Sequence, residues 1–350
     1  MEQSKEVLLE IKDYTVEFHT ETGVKQAINH LNLTIHKGES LGLVGEAGAG
    51  KTTTALSILR LLPKHSAKIK GGTITFGGQN MAKLSQRELR DIRGSQISMI
   101  FQNPLTSLNP VFTVGEQVAM VLRRHRGMSN SQALKEAGNL MEVVGIARER
   151  IKDYPHQFSG GMRQRIGIAA ALACNPELLI ADEPTTALDV TIQAQIMQLL
   201  KELQKDLGMA VILITHDIGL VAQMADRVLV MYAGQIIEQA PVLRLFDEPG
   251  HPYTQALLRS VPSIPRFSGS REEVLAAQEA DGKRLESIQG VVPEHYDRIT
   301  GCRFADRCPY EEERCHEPQE EVACGPAHVA RCWKTARLEQ TDGMNQEKEG

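Results

Sequence analysis

Residues 40–54, SLGLVGEAGAGKTTT, decide the fold. The apolar run SLGLVG reads as a buried parallel strand, and TTTALSILRLL after it as a helix stopped by Pro63. Between them stand Gly45, four residues, then Gly50-Lys51-Thr52, which fits the phosphate-loop spacing G-x-x-x-x-G-K-[ST]. Ala47 and Ala49 occupy positions where a hydroxyl would have looked natural. The cradle does not need one, because the backbone N–H groups of a Gly-rich turn hold the anion. The following helix adds its unpaired N-terminal amides and the positive end of its dipole. Gly45, Glu46, Ala47, Gly48, Ala49, Gly50, Lys51, Thr52 and Thr53 are therefore candidate nucleotide contacts. Lys51 supplies charge for the outer phosphates, and Thr52 a hydroxyl for Mg²⁺.

The chain has 350 residues, 41% of them hydrophobic, enough for one large or two modest domains. Its net charge of −5 gives no general electrostatic pull toward nucleic acid. No apolar run approaches the roughly 18 residues of a membrane span. The start, MEQSKEVLLEIKD, lacks the apolar core of a signal peptide, so an intracellular chain is expected. Of six cysteines, five fall between Cys302 and Cys332. The sixth, Cys174, lies in IGIAAALAC and reads as a small core residue. Such clustering in a reducing compartment points to metal more than to disulfides.

VLLEIKDYTVEF (7–18) alternates and is rich in branched side chains, as a strand does. LNLTI and GTITFGG read as further short strands, and ISMIFQNP (97–104) as a strand ending at a polar turn. Residues 113–146 carry helical periodicity and predict a helical insertion within an α/β core. LLIAD (178–182) and VILIT (211–215) are near-continuous apolar runs typical of buried parallel strands. RVLVMYAGQIIEQAP (227–241) predicts a hairpin turning at Ala233-Gly234. After about residue 262 the texture becomes linker-like, then Cys-rich, and the last residues are polar and expected to fray.

Further chemistry sits where these strands end. LLIADEP closes a buried strand with two carboxylates. Asp182 is placed to hold Mg²⁺, and Glu183 to polarise an attacking water as general base. A surface Asp-Glu pair usually marks only a solvated turn, but this one follows four apolar residues. His216 follows VILIT at the carboxyl end of a strand, where α/β proteins bind ligands, and its imidazole is a candidate γ-phosphate contact. Gln102, at the end of ISMIFQ, is uncharged and able to meet both metal and water. In FSGGMRQR (158–165), Ser159, Gly160 and Gly161 open a helix and make a second anion site. One nucleotide needs one cradle, so the second points to the nucleotide of another subunit.

With these motifs in this order, residues 7 to about 262 resemble the ATPase subunit of ABC transporters. The resemblance is closer to the peptide-importer ATPases (the dipeptide/oligopeptide and nickel group), on FSGGMRQR, HPYTQALLRSVP (251–262) and GCRFADRCP (301–309). It implies an α/β fold: a P-loop NTPase core with an ABC-type antiparallel β subdomain and a helical subdomain, plus a small Cys-rich C-terminal domain. The expected divisions are an ATPase domain at 1–262 with its helical subdomain at about 103–165, a linker at 263–285, the Cys-rich domain at 286–336 and a flexible tail at 337–350. A head-to-tail dimer would sandwich two ATP molecules, with Ser159 and Gly161 completing the partner's γ-phosphate site and Asp189 communicating across the interface. An aromatic near the first strand usually stacks on adenine; Phe18 is the first choice and Tyr14 the second. The chain departs from the common LSGGQ signature at Phe158 and Met162, and has Ala170 where many members carry Arg.

The resemblance also implies partners: a second ABC ATPase subunit, usually a non-identical sister, two membrane permeases, and an extracytoplasmic solute-binding protein. The chain would then lie peripherally on the cytoplasmic face of the membrane, with peptides as cargo and nickel, glutathione or another small solute as alternatives. A soluble ABC ATPase of DNA repair or translation would carry a long coiled coil or tandem cassettes, and neither is present. An inactive scaffold would tolerate loss of Lys51, Glu183 or His216, and all three are present.

Cys302, Cys308, Cys315 and Cys332 follow the spacing C-x5-C-x6-C-x16-C, with Cys324 inside. Four thiolates suit zinc or an iron–sulfur cluster, and the spacing lacks the C-x2-C pairs common in zinc sites. The resemblance favours a [4Fe–4S] cluster, with zinc, free thiols and disulfides as alternatives. Cys324 is a substitute for one of the four, and His316 a weaker candidate.

Overall fold

Strand β1 (Val7–Thr20) buries Leu9, Ile11 and Val16 on its inward face, as its alternation predicts. The computed structural model describes residues 6–21, 23–102, 107–186, 188–260, 288–293 and 296–335. The expected linker at 263–285 and tail at 337–350 lie outside them. β1 pairs antiparallel with β2 (Gly23–His36) and β4 (Ala67–Phe76), and β5 (Gln79–Asn80) completes a sheet ordered β2-β1-β4-β5. This sheet is the expected antiparallel subdomain. β2 is longer than LNLTI alone predicts, because GVKQ also pairs along β1.

The second sheet contains five adjacent parallel strands: β3 (Ser40–Val44), β6 (Ile97–Ile100), β7 (Leu178–Asp182), β8 (Ala210–Thr215) and β9 (Arg227–Tyr232). β3, β7 and β8 are buried along their whole length, which is why their sequences are almost entirely apolar. β10 (Gln235–Pro241) returns antiparallel to β9 through Ala233 and Gly234, both at positive φ (45° and 83°), as a two-residue hairpin turn requires.

Helix α1 (Lys51–Ile58) ends before Pro63 rather than at it. Arg60 takes φ 51°, and a left-handed residue cannot continue the i to i−4 ladder. A Ser85–Glu88 capping box starts α2 (Gln86–Ile92). The helical insertion contains α3 (Val114–Arg126) and α4 (Asn130–Val143), begun by Thr113 and Ser129 caps. These helices share buried residues such as Val118, Leu122, Ala137 and Met141 with Ile166 of α5 (Gly160–Leu172). Residues 103–106, where the insertion was expected to begin, are outside the described residues. Cys174, just past α5, is half-buried rather than a core residue. Along the remaining chain come α6 (Val190–Leu207), α7 (Ile218–Met224), α8 (Val242–Asp247) and α9 (Pro252–Arg259). Among the described residues no helix is long and apolar enough to cross a membrane.

The Cys-rich segment is not set apart from this core. Its strands β11 (Val322–Gly325) and β12 (His328–Ala330) extend the second sheet, giving the order β11-β12-β10-β9-β3-β8-β7-β6. β12 pairs with β10 at Glu238–Ala330 and Gln239–Val329. Phe304 is buried with the central strands, its ring 5.4 Å from Tyr232 and 5.3 Å from Tyr253. The fully buried Glu238 carboxylate accepts from Gly250 N (2.6 Å) and His251 N (2.8 Å) and lies 2.7 Å from His328 Nε2. Such a group tolerates burial only when its lone pairs are occupied, so the contact fixes the extension to the core. Among the described residues, Ala305, Cys315 and Trp333 form a small buried cluster of their own.

Candidate nucleotide site

The phosphate loop leaves the carboxyl end of β3. A Cβ on Gly45, at φ 150°, would stand 2.0 Å from the Met231 carbonyl oxygen, so this position needs glycine. The same holds at Gly50, where a Cβ would approach Ala27 O to 2.6 Å. Lys51 is buried, and its Nζ donates to Gly45 O (2.7 Å) and Glu46 O (3.0 Å). Burial pushes its pKa down, opposed by the charges of Glu183, Asp182 and Glu46.

β7 ends in Asp182, whose Oδ1 accepts from Thr52 Oγ1 at 3.3 Å. Burial raises the Asp182 pKa, with the Thr52 hydrogen bond acting against it. Thr52 and Asp182 thus meet as oxygen donors, the ligand type Mg²⁺ takes. Glu183 follows at φ 46°, its N–H bonded to Ile214 O of β8 at 2.8 Å. Gln102 Nε2 donates to Glu183 Oε2 at 2.7 Å, Thr186 Oγ1 donates to the same oxygen at 2.9 Å, and His216 Nδ1 lies 3.3 Å from Oε1. Burial alone would raise the Glu183 pKa, but the bonds from Thr186, His216 and Gln102 hold it below its ordinary value. The ends of β6, β7 and β8 therefore converge on one ionised carboxylate beside the phosphate loop. A carboxylate so placed can accept a proton from water.

Ser159 is exposed and caps α5, its hydroxyl accepting from Met162 N at 3.4 Å. Gly160 and Gly161 open the same helix, and a Cβ on Gly161 would meet Ile192 Cγ2 at 2.6 Å. Asp189 caps α6, accepting from Ile192 N at 3.0 Å. Among the described residues no hydrogen bond joins the Ser159–Gly161 turn to residues 45–53. Phe18 is half-buried on β1, whereas Tyr14 is 4% exposed in the β-subdomain core with Ser57 as hydrogen-bond partner. Burial removes Tyr14 as a surface for a base to stack on.

Three contacts escape sequence reading. Thr186 lies three residues beyond Glu183, a spacing that a search for hydroxyls near the acid would find. Tyr253 OH accepts from Glu46 N at 3.0 Å, and Arg307 grips the Glu46 carboxylate, 261 residues away in sequence. No local signal announces the last two.

Cys302, Cys308, Cys315 and Cys332 line one small pocket with His251, Tyr310 and Trp333. Trp333 Nε1 donates to Cys315 Sγ at 3.5 Å. Cys324 and His316 are not in its wall: Cys324 Sγ donates to Val322 O at 3.5 Å, and His316 pairs with Glu311 at 2.8 Å. Among the described residues no group of three or more His, Cys, Asp or Glu is placed to hold a metal ion, so the expected cluster and its zinc alternative lack an assembled ligand set. No cysteine there is disulfide-bonded.

Residues 28–186 match the ABC transporter family, and residues 237–315 match the oligopeptide/dipeptide transporter C-terminal region. The “Probable peptide ABC transporter ATP-binding protein” of Sinorhizobium fredii is 49% identical over 333 residues, covering 94% of this chain and 96% of that protein. The dipeptide transport ATP-binding protein of Bacillus subtilis is 47% identical over 332 residues, covering 94% and 95%. Among solved structures, the dimeric post-hydrolysis state of the ATP-binding cassette MJ0796 bound to ADP and Pi matches with TM-score 0.61 and 31% identity, over 67% of this chain and 99% of that one. With the phosphate loop, the acid pair and the distal histidine in one place, the chain belongs to the ABC transporter ATP-binding proteins, in the branch carrying the oligopeptide/dipeptide transporter C-terminal region.

Proposed function

We propose that this chain is the ATP-hydrolysing subunit of a peptide importer, working at the cytoplasmic face of the membrane. The observation that carries the reading is the convergence of Gln102, Thr186 and His216 on Glu183, next to Thr52–Asp182 and Lys51. Peptide cargo rests on the names of the relatives and the matched C-terminal region.

On this reading the residues divide the work as follows. Lys51 exchanges its loop carbonyls for the outer phosphates of ATP. Thr52, Asp182 and the carbonyl end of Gln102 would hold Mg²⁺, which supplies charge neutralisation on those phosphates when bound. Glu183 accepts the proton of the water that attacks in line, and His216 contacts the γ-phosphate. Phe18 stacks on the adenine. Ser159 and the N–H groups of Gly160 and Gly161 complete a partner ATPase's site, and Asp189 carries the state of that site across the interface. The helical insertion faces the permease pair, so that dimer closure moves the pore. A sister ATPase and a solute-binding protein complete the assembly. In the Glu183→Gln variant ATP binding should persist while phosphate release nearly stops; release near the wild-type rate would refute this use of Glu183.

For the cysteine pocket the reading rests on the resemblance that favours a cluster and on the four cysteines that line it. No disulfide ties up any of those thiols. Cys302, Cys308, Cys315 and Cys332 would hold the [4Fe–4S] group, here with a structural role. Anaerobically purified protein should absorb visible light, and Cys308→Ser should lose the absorbance. Colourless protein with stoichiometric zinc would overturn the cluster.

A further inference from the structure

The phosphate loop carries a carboxylate, Glu46, at its first variable position. A bare negative charge beside bound phosphates opposes their binding. In this chain it is not bare. Arg307 Nη1 donates to Glu46 Oε2 at 2.7 Å and Nη2 to Oε1 at 3.1 Å, two parallel bonds between planar groups. The Arg307 side chain is 5% exposed and that of Glu46 28%. The guanidinium is itself held, donating to Tyr232 OH (3.1 Å) and, through Nε, to Gln289 O (2.9 Å). A second arginine of the same segment, Arg303, donates to Ala233 O in the β9–β10 turn, and Gly234 N of that turn bonds to Ala49 O of the loop at 2.9 Å. The Cys-rich extension thus reaches the phosphate loop by two routes.

We propose that Arg307 is a positioning residue for nucleotide binding, which neutralises Glu46 and fixes it in place so that the loop can accept ATP. The inference rests on the ATP-site reading above. Arg307 acts through Glu46 and not on the reacting atoms, so its loss weakens ATP binding and leaves the chemical step alone.

The test is steady-state ATP hydrolysis by the full-length chain in its assembled transporter, with ATP binding measured alongside. Arg307→Gln should raise KM for ATP about three- to tenfold with kcat nearly unchanged. Arg307→Lys, which keeps the charge but not the paired bonds, should fall between. Adding Glu46→Gln to Arg307→Gln should return KM toward the wild-type value, a rescue that a merely structural role does not produce. If Arg307→Gln fails to fold, Glu46→Gln alone decides: it leaves a positive excess by the phosphates and should lower KM. An unchanged KM in folded Arg307→Gln, additive effects in the double variant, or an equal or higher KM in Glu46→Gln would overturn the proposal. Failure of the underlying reading looks different, because the wild type itself would then bind no ATP, or Lys51→Ala would bind it normally.

Discussion

Glu183 sits at φ 46° with Gln102 and Thr186 donating to one oxygen and His216 Nδ1 beside the other. Non-glycine residues rarely occupy that backbone region, and the strain is tolerated where it aims a side chain. Replacing one oxygen by an amide keeps the size and much of the hydrogen bonding while removing the proton acceptor. Glu183→Gln should therefore lower kcat by a factor of about 10² to 10⁴ with ATP affinity little altered, measured by single-turnover phosphate release. At this scale most of the site was legible. Lys51, Thr52, Asp182, Glu183 and His216 lie within or next to apolar runs that fix where they project. Tyr14, the second choice for the adenine, is excluded by its burial in the core that β1 shares with α1, where it meets Ser57. Arg307 was illegible because no pattern near residue 307 refers to residue 46.

Between strands, the joint of the two sheets depends on Glu39. This buried carboxylate accepts from Arg227 Nε at 2.9 Å and from His36 N at 2.8 Å, tying β2 to β9 at the entry to β3. Burial alone would raise its pKa, but Arg227 and His36 outweigh burial and hold it below its ordinary value. A carboxyl with a depressed folded pKa stabilises the fold above its unfolded pKa, and the contribution is lost as pH falls through the folded one. Glu39→Gln should cost about 3 kcal/mol at neutral pH, by leaving Arg227 uncompensated. The gap from wild type should narrow on acidification. Urea unfolding across acidic pH checks this, and a gap that stays constant would remove Glu39 from the joint. Element types were readable because parallel strands are apolar throughout and the edge strands alternate. Boundaries were less so. The end of α1 is set by the left-handed Arg60, which nothing in the residue type foretells.

The whole molecule was expected as an ATPase with a small appended domain, and here sequence reading stopped short. Linker-like composition after residue 262 suggested a break, yet β12 continues the second sheet and Phe304 enters the main core. Pairing between segments some 90 residues apart, such as Glu238 with His328, is a tertiary fact that composition does not encode. In the proposed function the Ser159 turn, which shares no hydrogen bond with residues 45–53 of its own chain, completes the site of a partner. Ser159 is exposed, so a long charged side chain there should disturb the proposed interface while costing the fold only the α5 cap, about 1 kcal/mol. The decisive measurement is phosphate release by the assembled transporter carrying Ser159→Arg on this chain, with bound ATP counted in parallel. The account predicts ATP still held on Lys51 and release at the partner's site slower by about a hundredfold; release from both sites at the wild-type rate would contradict it.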